Sequence, residues 1–343
     1  MLKHGGAVLT AASQYGIPDS QWLDLSTGIN PNGWNVPYIP PEIWQKLPQR
    51  DDNLEQAAKQ YLGATNLVPS AGSQAAIQML PELKTICRVG FLFPSYAEHI
   101  HAWKRCGHQV VQFNEVPTLE ENLDKLDVLV ITNPGNPTGL VLTPQQLVFW
   151  WEKLRHRSGW LVVDEAFMDA TNELSLATYT GQYGLVVMRS LGKFFGLSGA
   201  RIGFVLAWTD LIEQLVERFG PWDISGPSRY VATLALNDIP WQQQTKINLS
   251  ANSSRLQQLL EDNQLTVSGG TCLFKWVVTP QADILHEYLA RKAILSRLFL
   301  EPLSLRFGLP GTEIDWQRLN TALLSAQSDG ILSITPEATP CLA

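Results

Sequence analysis

The sequence predicts an α/β fold, a mostly parallel sheet in a large domain with a smaller α+β domain attached. Three observations carry this: short runs that are apolar at almost every position, helical-period segments between them, and a change of pattern near Tyr230. A strand apolar on both faces belongs to a sheet covered on both sides, and alternation with helices makes such a sheet largely parallel.

In chain order, Arg88–Phe93 is the first such run, followed by Pro94-Ser95-Tyr96 and an amphipathic stretch to Cys106. His108–Phe113 comes next. Asp127–Thr132 ends in Asn133-Pro134, and Pro144–Arg157 reads as a helix. Trp160–Val163 ends in Asp164, Leu185–Met188 ends near Ser190, and Arg201–Ala207 follows shortly. Asn133, Asp164 and Ser190 therefore each stand just past a predicted strand, where open α/β sheets gather their ligands. Beyond Tyr230, helical segments lead to the runs Thr271–Val278, Ile294–Phe299 and Leu303–Gly308. The predicted organisation is a segment 1–40 packing near the small domain and the ligand site, a large domain 41–230, a small domain 231–330 and a tail 331–343.

Composition narrows the class. The chain has 343 residues, 45% apolar and 17% charged, which suits a globular protein with a sizeable core. With 25 Lys plus Arg against 32 Asp plus Glu, the net charge is −7, which argues against a nucleic-acid partner. The cysteines Cys87, Cys106, Cys272 and Cys341 form no C-x-x-C pair and read as scattered free thiols of a reducing compartment. The N-terminus lacks the apolar core of a signal peptide, and no stretch approaches the roughly 20 apolar residues that span a bilayer. A cytoplasmic protein without membrane contact is expected.

Four local patterns carry the chemistry. They are Ser70-Ala71-Gly72-Ser73-Gln74 opening a helix, Asn133-Pro134-Gly135-Asn136-Pro137-Thr138-Gly139, Asp164-Glu165-Ala166-Phe167, and Ser190-Leu191-Gly192-Lys193 with Gly199-Ala200-Arg201-Ile202-Gly203 behind it. Alone, each is an ordinary cap, turn or surface charge. In this order, each at a strand–helix junction, they match the needs of pyridoxal 5′-phosphate (PLP). That cofactor takes a lysine amine on its aldehyde and a carboxylate beside its ring nitrogen, which keeps the ring an electron acceptor. Lys193 and Asp164 fit those catalytic roles. A lysine must be desolvated or set near other cations to be a nucleophile at neutral pH. The cofactor phosphate needs donors, which the helix start after Gly72-Ser73, Ser190 and Arg201 supply. The remaining histidines show no metal-ligand spacing beyond the pair His99 and His101, so no metal site is predicted and no role is assigned to them.

Across Leu54 to Gly308 these motifs resemble the fold-type I PLP enzymes of aminotransferase class I/II. The resemblance implies that Asn136 bonds the ring hydroxyl, Asp164 the ring nitrogen, and that Tyr96 stacks on the ring with Ala166 beneath. It further implies that Gly72, Ser73, Ser190 and Arg201 hold the phosphate, that Gln74 is among the cofactor-binding residues, and that the active site lies in a homodimer interface. Phe167 stands where many relatives have Tyr.

His4-Gly5-Gly6, the run Asp24 to Pro31, the run Leu47 to Leu54, and Ile294 to Arg297 with Leu305 to Pro310 resemble the threonine-phosphate decarboxylase branch of cobalamin biosynthesis. The sister group, the histidinol-phosphate aminotransferases, has Tyr-Pro where this chain has Leu47-Pro48. A phosphorylated amino acid carries two anionic ends, and His4, Asn30, Arg297 and Arg306 are the expected substrate-binding residues. Decarboxylation needs the substrate carboxylate out of the ring plane, whereas transamination needs the Cα–H there. Both readings stand at this level; a non-catalytic PLP-binding module is disfavoured by Lys193 and Asp164 together.

Overall fold

A computed structural model describes residues 4–332 of the chain. Helix α1 (Val8–Tyr15) leads to the two-residue strand β1 (Leu23–Asp24), and α2 (Pro41–Gln45) and α3 (Leu54–Leu62) follow. The next stretch alternates strand and helix: β2 (Leu67–Ser70), α4 (Ser73–Met79), β3 (Arg88–Leu92), α5 (Ala97–Arg105) and β4 (Gln109–Phe113). It continues through α6 (Val116–Asn122), β5 (Val128–Thr132), α7 (Pro144–Arg155) and β6 (Trp160–Asp164). Strands β7 (Leu185–Ser190) and β8 (Gly203–Leu206) close the set.

These seven strands form one sheet in the order β2-β8-β7-β6-β5-β3-β4. Strand β8 alone among them runs against its neighbours, so the sheet is largely parallel, as predicted. The unbroken apolar runs have a direct cause. Val128, Val130, Val162 and Val186 join a core on one face, while Leu129, Ile131, Leu161 and Val187 join a core on the other. With helices on both faces, alternation of apolar and polar residues has no place. Strand β2 escapes sequence detection because it is four residues long and contains Pro69; it survives as an edge strand, where a missing N–H donor is tolerated.

After α8 (Thr209–Phe219), α9 (Gly226–Asn237) and the long α10 (Ile239–Asp262), a second sheet forms. Its strands are β9 (Gly269–Thr271), β10 (Phe274–Val278), and, past α11 (Ala282–Arg291) and β11 (Ile294–Leu295), β12 (Arg297–Leu300) and β13 (Leu303–Gly308). They pair antiparallel in the order β12-β13-β10-β9, and α12 (Glu313–Ser328) ends the described chain's regular structure. The predicted single run Ile294–Phe299 is two strands. Its first half pairs in parallel with β1 and its second with β13, the break falling at buried Ser296. The β1–β11 pair is a separate two-stranded sheet that ties the N-terminal segment to the stretch just before β12. Most of the predicted tail, with Cys341, lies outside the described residues; Cys87, Cys106 and Cys272 are free thiols.

The strand ends that hold the site are braced by Asn133. Its side chain, fully buried, donates to the Leu142 carbonyl at 3.1 Å and accepts from the Leu142 N–H at 2.9 Å, closing the Asn-Pro loop. Replacing Asn133 with Ala leaves both peptide groups buried without partners. A loss of about 2–4 kcal/mol in unfolding free energy is expected in urea titrations, and a loss below about 1 kcal/mol would show that water replaces the amide.

Candidate active site

The C-terminal ends of β5, β6 and β7 open on a cavity of about 400 Å³. Asp164, the last residue of β6, is buried. Its Oδ1 accepts the Ala166 N–H at 3.1 Å and its Oδ2 lies 2.8 Å from Nε2 of His99, a buried residue of α5. An ionised carboxylate only accepts, so His99 donates and holds the carboxylate in one orientation. Tyr96 packs edge-on to His99 with centroids 6.0 Å apart. Burial, with Asp164 and Glu98 nearby, pushes the Tyr96 hydroxyl up to about 12, so it stays a neutral phenol.

Lys193 follows β7 on a tight turn. Its amine is pushed down to about 8, chiefly by burial and then by Arg306; Arg201 adds to the effect and Asp164 opposes it. It lies 5.4 Å from the centroid of Phe167, whose ring packs edge-on to Phe274. Phe167 is thus part of the apolar wall that desolvates the amine.

Ser73, Ser190 and Arg201 also line the cavity. Gly72 caps α4 with φ +74°, and a Cβ there would strike the Arg201 guanidinium, so glycine is what lets Arg201 lie against the helix start. Ser190 Oγ accepts from the Gly192 N–H at 3.2 Å, shaping the turn that carries Lys193. At the opposite side, Arg306 is buried on β13. Its Nη1 donates to Asn136 Oδ1 at 2.6 Å and its Nη2 to the Ser26 carbonyl at 2.7 Å, while Nε has no partner among the described residues. Accepting on Oδ1 leaves the Asn136 amide nitrogen to face a ligand.

Ladder register sets Arg297 of β12 directly opposite Arg306 of β13. Like charges in that position repel. Burial and the Arg297 charge together push Arg306 down to about 10, and burial pushes Arg297 below its ordinary value. Lys193, Arg201, Arg297 and Arg306 thus line the cavity against the carboxylates Asp164 and Glu301. The cations of the wall outnumber its carboxylates, a balance that suits an anionic ligand.

Of the fourteen residues singled out from sequence, twelve line this cavity. Gly72 does not, acting instead through its missing side chain. Asn30 does not either. It is buried with its amide donating to the Phe194 carbonyl at 3.0 Å and its Oδ1 accepting from Asn32 N–H, while its own N–H bonds the Lys193 carbonyl. With its amide nitrogen, amide oxygen and backbone N–H all engaged by backbone groups, Asn30 positions the lysine turn from outside the cavity wall. Gln74 lines the wall, but its amide nitrogen is held by Glu98 at 2.7 Å. His99, given no role from sequence, proves to be the partner of Asp164. A Tyr-x-x-His spacing placing it one helical turn past Tyr96 is a signal only in hindsight. Thr132, whose buried hydroxyl has no partner among the described residues, also escaped notice.

Behind the cavity wall, Arg189 is buried between two carboxylates, Glu165 at 3.2 Å and Asp169 at 2.7 Å. Glu165 also accepts from Ser175 and the Leu176 N–H, and Asp169 from the Tyr61 hydroxyl at 3.0 Å. The neighbours of this network in sequence are Asp164, Ala166 and Ser190.

The donor set fits PLP: a desolvated amine with a lowered pKa, a fixed carboxylate, an amide nitrogen, and serine hydroxyls beside a guanidinium for a phosphate. The chain belongs to the aminotransferase class I and II family, whose model matches residues 20–327. Enzymes of this family depend on PLP, and this chain is one of them. Within the family it is 51% identical to a threonine-phosphate decarboxylase of Pseudomonas aeruginosa, over 94% of this chain and 98% of the relative. It is 36% identical to another of that name from a Sinorhizobium species, over 93% and 97% of the two chains. In fold it matches the histidinol-phosphate aminotransferase of Sinorhizobium meliloti, solved in complex with PLP, with a TM-score of 0.80 at 16% identity, covering 96% of this chain and 99% of that one.

The lowered pKa of Lys193 has a direct readout in the protein stripped of cofactor. An amine titrating near 8 is mostly protonated at pH 7 and mostly neutral at pH 9, so acylation at Lys193 should rise steeply across that range, while exposed lysines gain reactivity only toward pH 10–11. Peptide mass spectrometry after brief labelling with acetic anhydride measures this. A midpoint for Lys193 at or above 10 contradicts the burial argument.

Proposed function

We propose that this enzyme decarboxylates L-threonine O-3-phosphate to (R)-1-aminopropan-2-yl phosphate and CO₂, a product suited to cobalamin biosynthesis. The observation carrying this reading is the facing pair Arg297 and Arg306. One guanidinium suffices for an α-carboxylate; a second one opposite it, with His4 at the rim, suits a substrate with another anionic end. The two threonine-phosphate decarboxylases matched over nearly full length support the same substrate.

Bound PLP supplies an electron sink for the pair released when a substrate Cα bond breaks. The chain's own residues supply the rest. Lys193 Nζ would hold the cofactor aldehyde, and when free its amine, lowered by burial, would be suited to holding and moving a proton at Nζ. Asp164, fixed by His99, keeps negative charge beside the ring nitrogen. Asn136, itself held by Arg306, would serve the ring hydroxyl, and Tyr96 and Ala166 would pack against the ring. Gly72, Ser73, Ser190 and Arg201 hold the cofactor phosphate. Arg306 takes the substrate carboxylate, and Arg297 and His4 the substrate phosphate. Anchoring both ends would restrict how the substrate turns about its Cα.

We further propose that the enzyme works in the cytoplasm as a homodimer. Among the described residues no helix is long and apolar enough to cross a membrane. Tyr38, Trp44 and Leu47, close in sequence and largely exposed, are large apolar groups of the kind a partner surface covers.

Incubating the holoenzyme with phosphothreonine should release CO₂ without any keto acid; strict dependence on 2-oxoglutarate would instead make it a histidinol-phosphate-type aminotransferase. Lys193→Ala should abolish turnover and leave no cofactor attachment reducible by borohydride. Arg306→Ala should raise KM for phosphothreonine by about 100-fold, the worth of one charge-assisted contact, while visible absorbance of the cofactor persists.

A further inference from the structure

The segment His4-Gly5-Gly6 is strung between two anchors. On one side, the Gly6 N–H donates to Ser26 Oγ at 2.7 Å, Ser26 bonds Asp24 at 2.5 Å, and the Ser26 carbonyl is held by Arg306. Gly5 lies so close to that carbonyl that a Cβ there would overlap it. On the other side, His4 Nε2 meets Glu98 Oε1 at 2.8 Å. The second Glu98 oxygen accepts from the amides of Gln74 at 2.7 Å and Gln78 at 3.1 Å, both on α4. Glu98 sits on α5, so one carboxylate joins the N-terminal segment to the helix whose start forms the phosphate site. Nothing in the mechanism above uses it.

That carboxylate does to His4 what a fixed acceptor does to any imidazole. It dictates that Nε2 carries a proton, stops the ring from turning, and leaves Nδ1 as the nitrogen for a ligand. His4 is exposed across about half of its side chain and lines the cavity, whereas Glu98 is nearly buried. An imidazolium between a buried carboxylate and an incoming phosphate is a stronger anchor than a freely rotating ring.

We propose that Glu98 is a positioning residue for substrate capture, holding His4 so that its free ring nitrogen binds the phosphate of the phosphorylated amino acid. The proposal rests on the reading of His4 as a phosphate ligand and extends it to a residue outside the cavity lining. Specificity for a phosphorylated substrate then depends on a contact between α5 and the N-terminal segment, and not on the cationic wall alone.

The test is calorimetric titration of inorganic phosphate into the holoenzyme, whose cofactor phosphate site is already filled. Glu98→Gln retains an oxygen for the Gln74 and Gln78 amides, so the fold and the cofactor absorbance should be preserved. It loses the charge on His4, and phosphate affinity should fall about tenfold, the difference between a charge-assisted and a neutral hydrogen bond. In a His4→Ala background the same substitution should have no further effect, because Glu98 acts only through His4. A purely structural strut between α4 and α5 would cost as much with His4 absent as with it present. Unchanged affinity in Glu98→Gln, a loss that persists undiminished beside His4→Ala, or His4→Ala binding phosphate like the unaltered enzyme each overturns the assignment. If phosphate binds as expected but phosphothreonine yields no CO₂, the decarboxylase reading fails and the Glu98 assignment stands.

Discussion

Four cationic side chains share one cleft, and most of the site follows from their crowding. Lys193, Arg201, Arg297 and Arg306 come from the large sheet's turns and from two neighbouring strands of the small sheet, with few carboxylates to offset them. Burial is the main cause that lowers the pKa of the lysine and of Arg306, and the poorly screened repulsion of the neighbouring cations lowers both further. The same buried, cation-rich setting that lowers the Lys193 amine makes the cleft attractive to anions such as phosphates and carboxylates. Cofactor attachment and substrate capture are therefore two results of one electrostatic arrangement.

Such crowding persists only where the backbone is held by other forces. The Arg297–Arg306 pair is imposed by the β12–β13 ladder, whose hydrogen bonds and buried neighbours Leu305 and Phe307 set the register. The lysine turn is pinned by Asn30 and by Ser190. Behind it, the Arg189–Glu165–Asp169 network locks the ends of β6 and β7 to each other and to Tyr61 of α3. A buried ion network of this kind adds little net stability relative to apolar packing, but losing one member strands the others. Its value here is geometric: it fixes the strand ends from which Asp164 and Ser190 project.

The N-terminal segment completes the cleft through small residues and short contacts. Gly5 permits close approach to Ser26, Ser26 is gripped by Arg306, and His4 reaches the large domain at Glu98. Arg306 and His4 are thus linked through Ser26, Gly6 and Gly5 along one short stretch of chain and its hydrogen bonds.

The sequence by itself determined the α/β class, because strands buried on both faces must be apolar throughout, and it determined the PLP chemistry, because lysine, aspartate and phosphate-binding glycine and serine stand at fixed places relative to those strands. Twelve of its fourteen site residues face the cavity, most of them from the ends of those strands and the turns that follow, and His4, Arg297 and Arg306 from other segments. Tertiary structure decided what depends on contacts between distant segments. It showed that Asn30 spends its polar groups on the lysine turn, that His99 rather than solvent faces Asp164, that the run at Ile294 splits to serve two sheets, and that Glu98 holds His4. None of these is local in sequence: each pairs groups from different elements, and a hydrogen-bond partner is determined by where two chains of atoms meet, not by the residue type of either one.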